Sequence, residues 1–125
     1  MAYILVAEDD PSMRNFLKLA LEKAEHGVIT AHDGLDALDI LKKSIESDHP
    51  FDLLLTDIVM PGMDGIELSR RATDLHKDMK VMFITGFAAV AIDAQKTEER
   101  STKVLSKPFH LNDLVSQVET VLKAA

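Results

Sequence analysis

Cysteine is absent from the 125-residue chain. That absence excludes a disulfide framework, a thiolate metal site and a cysteine nucleophile. Long apolar runs are also missing, since nothing approaches the ~18 residues that a membrane span needs. The Met1 end carries neither the basic flank nor the cleavage site of a signal peptide, so a cytoplasmic location is expected. Basic residues are short against acids, 14 to 21, for a net charge of -7. Such a balance repels nucleic-acid backbones and argues against direct DNA or RNA binding. Low-complexity stretches, long linkers and internal repeats are likewise lacking. What is present is an ordinary globular composition, 46% hydrophobic, in a chain able to bury about two-thirds of its unfolded surface. One domain is expected over residues 1–125.

Hydrophobic periodicity alternates between two modes along the chain. Tyr3-Ile4-Leu5-Val6-Ala7 is too short for a helix and reads as a buried strand ahead of the turn-forming Asp9-Asp10-Pro11. Asp10 is placed to cap a helix with Pro11 in its first turn. Met13, Phe16, Leu17, Ala20, Leu21 and Ala24 then recur on one helical face, and Gly27 supplies the stop. The cycle repeats with strand Val28-Ile29-Thr30-Ala31, then a helix capped by Asp33 that turns Leu35, Leu38, Leu41 and Ile45 inward. Leu53-Leu54-Leu55-Thr56 is the third strand, and Ile66, Ala72 and Leu75 mark the inner face of the third helix. Val81 to Thr85 is a fourth strand, residues 87–96 a fourth helix, and Lys103-Val104-Leu105 a short fifth strand. Leu111, Leu114, Val115, Val118, Val121 and Leu122 stripe a last helix. Five strands alternating with five helices imply an α/β fold, a doubly wound five-stranded parallel sheet covered on both faces.

In such sheets function sits beyond the carboxyl ends of the strands. Glu8, Asp9 and Asp10 follow the first strand, Asp57 the third, Thr85-Gly86 the fourth and Ser106-Lys107-Pro108 the fifth. Two carboxylates ~4–5 Å apart repel by roughly 3–4 kcal/mol at an effective dielectric of ~20, so a converging set needs a neutralising partner. Oxygen donors with no neighbouring His or Cys suit a hard cation, and Mg²⁺ fits two or three carboxylates plus waters. The bland alternative makes these acids N-caps and solvated loop residues, and Asp10 fits it. The same acids count against a nucleotide-binding phosphate loop after strand one, which would need Gly or Ser there. Lys107 and Thr85 add donors placed for the oxygens of a phosphoryl group. Asp57 would be the nucleophile, forming an aspartyl phosphate.

Four segments carry a family resemblance. Ile4-Leu5-Val6-Ala7-Glu8-Asp9-Asp10, Leu55-Thr56-Asp57-Ile58-Val59-Met60-Pro61-Gly62-Met63-Asp64-Gly65, Ile84-Thr85-Gly86 and Ser106-Lys107-Pro108-Phe109 resemble the receiver domain of two-component response regulators. The likeness covers the whole chain. It implies a CheY/flavodoxin-like (βα)5 fold with strand order 2-1-3-4-5. It further implies Asp57 as phosphoacceptor, Mg²⁺ held by Asp9, Asp57 and the Val59 carbonyl with Glu8 acting through a water, and a cis Lys107-Pro108 bond. Thr85 and Lys107 match the switch hydroxyl and the phosphate-binding lysine. One departure stands out: where the family often carries a Tyr or Phe three residues before the lysine, this chain has Val104. Another reporter of Thr85 is then needed, with Phe83 and Phe87 the candidates, although core packing explains both about as well.

The resemblance leaves no room in 125 residues for an output domain, so output is expected to be protein binding. Phe87-Ala88-Ala89-Val90-Ala91-Ile92 is apolar around its whole circumference, bordered by Lys96, Arg100 and Lys103. Phe87, Val90, Ala91, Lys103 and Val104 are the expected partner surface, although alanine is also simply a good helix former. In segments outside the phosphorylation chemistry the chain looks like the CpdR type of single-domain receiver, a cell-cycle family. That likeness implies a non-enzymatic adaptor for ClpXP proteolysis that binds the ClpX unfoldase, gathers at a cell pole and is switched by a histidine kinase or histidine phosphotransferase. A phosphorelay carrier and a chemotaxis-type motor-binding receiver are the alternatives. An aspartate-nucleophile phosphatase fails, because Val59 stands where it needs a second acid. The last helix lacks a glycine stop, and its end is expected to fray into a tail that an unfoldase can grip.

Overall fold

The computed structural model describes residues 1–86 and 103–124. Its elements are β1 (Tyr3–Ala7), α1 (Pro11–Lys23), β2 (Gly27–Ala31), α2 (Gly34–Glu46), β3 (Leu53–Asp57), α3 (Gly65–Leu75), β4 (Lys80–Thr85), β5 (Lys103–Ser106) and α4 (Leu111–Lys123). The five strands form one sheet in the order β2-β1-β3-β4-β5, as the family resemblance implied. Every pairing is parallel. The expected helix over 87–96 lies outside the described residues.

β3 is buried at all five positions, because strands flank it on either side and helices cover both faces. Two apolar clusters divide those faces. Leu5, Leu54, Ile58 and Phe83 pack with Leu38 and Leu41 of α2 and Leu68 and Ala72 of α3. Ile4, Val6, Leu55 and Ile84 pack with Leu17 and Leu21 of α1 and Leu114 and Val118 of α4. Full burial of each such side chain favours folding by about 1.5–3 kcal/mol.

Aspartates start three helices. Asp10, Asp33 and Asp64 accept the backbone N–H of Met13, Asp36 and Glu67 respectively. Each cap removes one unpaired donor and is worth ~1 kcal/mol. Because these caps follow β1, β2 and the β3 loop, helix starts are anchored close to the strand ends.

Several expected inward positions face out. Phe16 of α1 is 39% exposed, Leu35 of α2 is 64% exposed and Leu75 of α3 is 43% exposed. Ile45 and Leu111 are also exposed. Gly34, Ala37 and Ser44 take the inner face of α2 beside Leu38 and Leu41, because that helix packs close to its neighbours. A Cβ on Gly34 would lie 2.9 Å from the Met63 Cβ. Gly27 does not end α1 but opens β2, pairing with Tyr3. The left-handed turn after the helix is made by Glu25, with φ of 72°.

The C-terminal helix carries a tether near its end, and Ala125, the tip of the expected tail, lies outside the described residues. Lys80 Nζ donates to the Ala124 carbonyl at 2.7 Å. Buried His26 receives the Ala2 N–H at Nδ1 and meets the Glu119 carboxylate at 3.0 Å through Nε2. With Nδ1 accepting, Nε2 carries the proton toward Glu119.

Candidate functional site

The loops after β1, β3 and β5 meet at the carboxyl edge of the sheet. Sheet order makes this inevitable, since β3 lies between β1 and β4 and β4 beside β5. Parallel register then sets Ala7 against Thr56, Asp57 against Ile84 and Thr85 against Ser106. The next residues along the chain are Glu8 and Lys107, which therefore converge on Asp57.

One carboxylate oxygen from each of Glu8, Asp9 and Asp57 lies within 4.8 Å of the other two. Glu8 is fully buried, Asp57 nearly so at 5% exposure, and Asp9 is exposed. Lys107 Nζ stands 3.0 Å from Glu8 Oε1 and 2.9 Å from Asp57 Oδ2. The other Asp57 oxygen accepts the Val59 N–H at 3.2 Å, and Glu8 Oε2 accepts the Asp10 N–H at 3.1 Å. Each buried carboxylate thus has a cationic and a backbone donor, the condition under which burying an ion is tolerable.

Burial pushes the Glu8 carboxyl up to about 7 despite the Asp10 N–H and the Lys107 ammonium, and the Asp57 charge adds to the rise. For Lys107 burial works against the charge, but the hydrogen bonds to Asp57 and Glu8 outweigh it and hold the ammonium above its ordinary range. Thr85 is fully buried at the end of β4. Its carbonyl accepts the Lys107 N–H at 2.7 Å, so hydroxyl-bearing residue and lysine share one backbone link. The Lys107–Pro108 peptide is cis.

The structure therefore brings together Glu8, Asp9, Asp57, Val59, Thr85 and Lys107. Val104 lies elsewhere: it pairs with Phe83 and packs on the α2–α3 side of the sheet. Phe83 is fully buried in that cluster, and core packing accounts for it. Phe87, Val90 and Ala91 fall outside the described residues, as does the side chain of Lys103. Sequence reasoning missed Arg14, whose Nη1 donates to the Glu8 carbonyl at 2.9 Å. A single arginine on an amphipathic helix carries no pattern that would have singled it out.

The sequence profile of the family described as "Response regulator receiver domain" matches residues 4–119. The chain belongs to that family. This receiver domain is 56% identical over 125 residues to the response regulator receiver protein CpdR of Brucella abortus (strain 2308), covering 100% of both chains. It is 32% identical over 120 residues to the response regulator MprA of Mycobacterium tuberculosis (strain ATCC 25618 / H37Rv), covering 96% of this chain and 50% of that one. The receiver domain thus spans half the length of that regulator. Among solved structures, the receiver domain of the hybrid histidine kinase CckA is 30% identical with a TM-score of 0.80, at 97% and 99% coverage. The response regulator TrrA of Thermotoga maritima, solved in complex with Mg²⁺ and BeF, is 29% identical with a TM-score of 0.80, at 97% and 99% coverage.

Membership settles the class of chemistry. This is a signalling phosphoacceptor domain, and its Glu8–Asp9–Asp57 cluster is the Mg²⁺-binding type of receiver sites. The donor set fits that ion: three carboxylates, with no imidazole in the cluster and no thiolate in the chain. No helix among the described residues is long and apolar enough to cross a membrane.

Proposed function

We propose that Asp57 accepts a phosphoryl group from a histidine kinase or histidine phosphotransferase, and that this switches the binding of another protein. The observation that carries the reading is the pairing of Asp57 Oδ2 with Lys107 Nζ at 2.9 Å beside two further acids. Asp9, Asp57 and the Val59 carbonyl hold Mg²⁺, with Glu8 acting through a water. When bound, the ion neutralises charge shared between the acids and the incoming phosphoryl oxygens.

An Asp57 carboxylate oxygen attacks phosphorus, a P–O bond forms, and the P–N bond to the donor histidine breaks. The leaving imidazole keeps the electron pair and takes a proton from solvent. Lys107 then donates to a phosphoryl oxygen as well as to its carboxylate partners, since an ammonium has three N–H groups. Thr85 is the hydroxyl that reads the phosphoryl group. Through its carbonyl bond to the Lys107 N–H, movement at β4 is passed to the loop after β5.

Downstream, the relationship to CpdR supports a protease adaptor of the ClpXP system, with ClpX as the binding partner, a cytoplasmic location and recruitment to a cell pole. The partner surface on this reading includes Phe87, Val90, Ala91, Lys103 and Val104. The test is retention of the purified chain on immobilised ClpX, with and without Mg²⁺ and beryllium fluoride. Retention of the untreated chain, lost on beryllofluoride binding and lost in Val90→Asp, is the expected result. Failure of the untreated chain to bind ClpX contradicts the adaptor role. Onward phosphoryl transfer to a second histidine protein would make it a relay carrier instead.

A further inference from the structure

We infer that Arg14 is a positioning residue for the magnesium site, an inference that rests on the metal reading above. Arg14 lies on the first turns of α1, and its Nη1 reaches back to the Glu8 carbonyl at 2.9 Å. That carbonyl belongs to the peptide unit joining Glu8 to Asp9. The unit is planar, so holding its oxygen restrains ψ of Glu8 and φ of Asp9 together, and with them the direction in which the Asp9 side chain leaves the chain.

The rest of the loop is held by other bonds. The Glu8 N–H donates to the Ala31 carbonyl at 3.1 Å, and the Asp10 N–H donates to Glu8 Oε2 at 3.1 Å. The Asp10 carbonyl accepts the Arg14 N–H at 2.9 Å, and its carboxylate accepts the Met13 N–H. Asp9 sits between these fixed neighbours with an exposed side chain. Arg14 is thus bonded to the residue on either side of Asp9, through its side chain to Glu8 and through its backbone to Asp10. The main chain beneath the exposed ligand is set before any cation arrives.

Outer partners of this kind typically change metal affinity by 10–100-fold when removed. Arginine suits the task because its guanidinium is planar, permanently charged and carried on a stem long enough to return along the helix.

The experiment is calorimetric titration of Mg²⁺ into wild-type, Arg14→Lys and Arg14→Ala proteins, with the melting temperature of each metal-free protein measured beside it. Arg14→Ala is expected to bind Mg²⁺ about tenfold more weakly. Arg14→Lys, which keeps one donor without the fork, should fall between. The metal-free melting temperatures should not follow that order, since a merely structural role would move them and leave Mg²⁺ affinity alone. Wild-type affinity in both variants overturns the inference. If Arg14→Ala does not fold, Arg14→Lys decides alone, and wild-type affinity there overturns it. Absence of Mg²⁺ binding by the wild-type chain would bring down the metal reading first and this inference with it.

Discussion

Two residues define the electrostatics of the site, and each yields a prediction. Lys107 bridges Glu8 and Asp57, so Lys107→Met leaves two buried carboxylates facing each other without a cation. Phosphoryl uptake from acetyl phosphate should slow by roughly 10²-fold, the usual consequence of losing a preorganised donor. The metal-free variant should also lose more stability at pH 8 than at pH 6, because Glu8 can relieve the repulsion only by taking a proton. Equal uptake rates in variant and wild type would refute the role. The second prediction concerns Glu8 itself, raised from 4.5 to about 7 by burial in the metal-free fold. The folded chain then holds a proton between those values that the unfolded chain has released. Stability from this group is fully present below about pH 4.5 and is lost as pH rises through about 7. Denaturation midpoints of the metal-free wild type should fall relative to those of Glu8→Gln across that window. A constant difference between the two would contradict it.

At the scale of elements, β3 and α3 meet at a tight junction. Gly65 opens α3 against the Asp57 backbone, donating its N–H to the Ile58 carbonyl at 2.8 Å. A Cβ there would drive into the Asp57 carbonyl oxygen and sit 2.9 Å from its carbon. Gly65→Ala is expected to cost about 3 kcal/mol, the upper end for overpacking because the neighbour is backbone. It should also slow phosphorylation by displacing Asp57. A variant with unchanged melting temperature and uptake would show that the junction yields. Strand positions and the caps at Asp10 and Asp33 were legible in the sequence because buried parallel strands are continuous apolar runs and caps have a chemical signature, while the Asp64 cap was not singled out. Inner helix faces were less so. Leu35 and Ile45 matched the expected stripe of α2, yet the helix turns Gly34, Ala37 and Ser44 inward. Close packing selects small residues that hydrophobicity alone does not flag. The tether from Lys80 to Ala124 was invisible for another reason: its partners lie 44 positions apart, and one is a main-chain carbonyl.

For the molecule as a whole, the meeting of Glu8, Asp9, Asp57 and Lys107 was legible, because sheet order dictates which strand ends meet. Arg14 was not, since a side chain bonded to a backbone oxygen leaves no mark in residue pattern. Bringing Glu8, Asp9 and Asp57 together is a property of the folded chain alone, so Mg²⁺ should stabilise it. At 100 times the dissociation constant, mass action gives about 2.7 kcal/mol. A melting temperature that rises with Mg²⁺ in the wild type and not in Asp9→Ala is the expected outcome. The most direct measurement of the central claim is intact-mass analysis after incubation with acetyl phosphate, with and without Mg²⁺. The wild-type chain should gain one phosphoryl group only when Mg²⁺ is present, and Asp57→Asn should gain none. Equal labelling of Asp57→Asn, or labelling of the wild type that ignores Mg²⁺, would contradict the account.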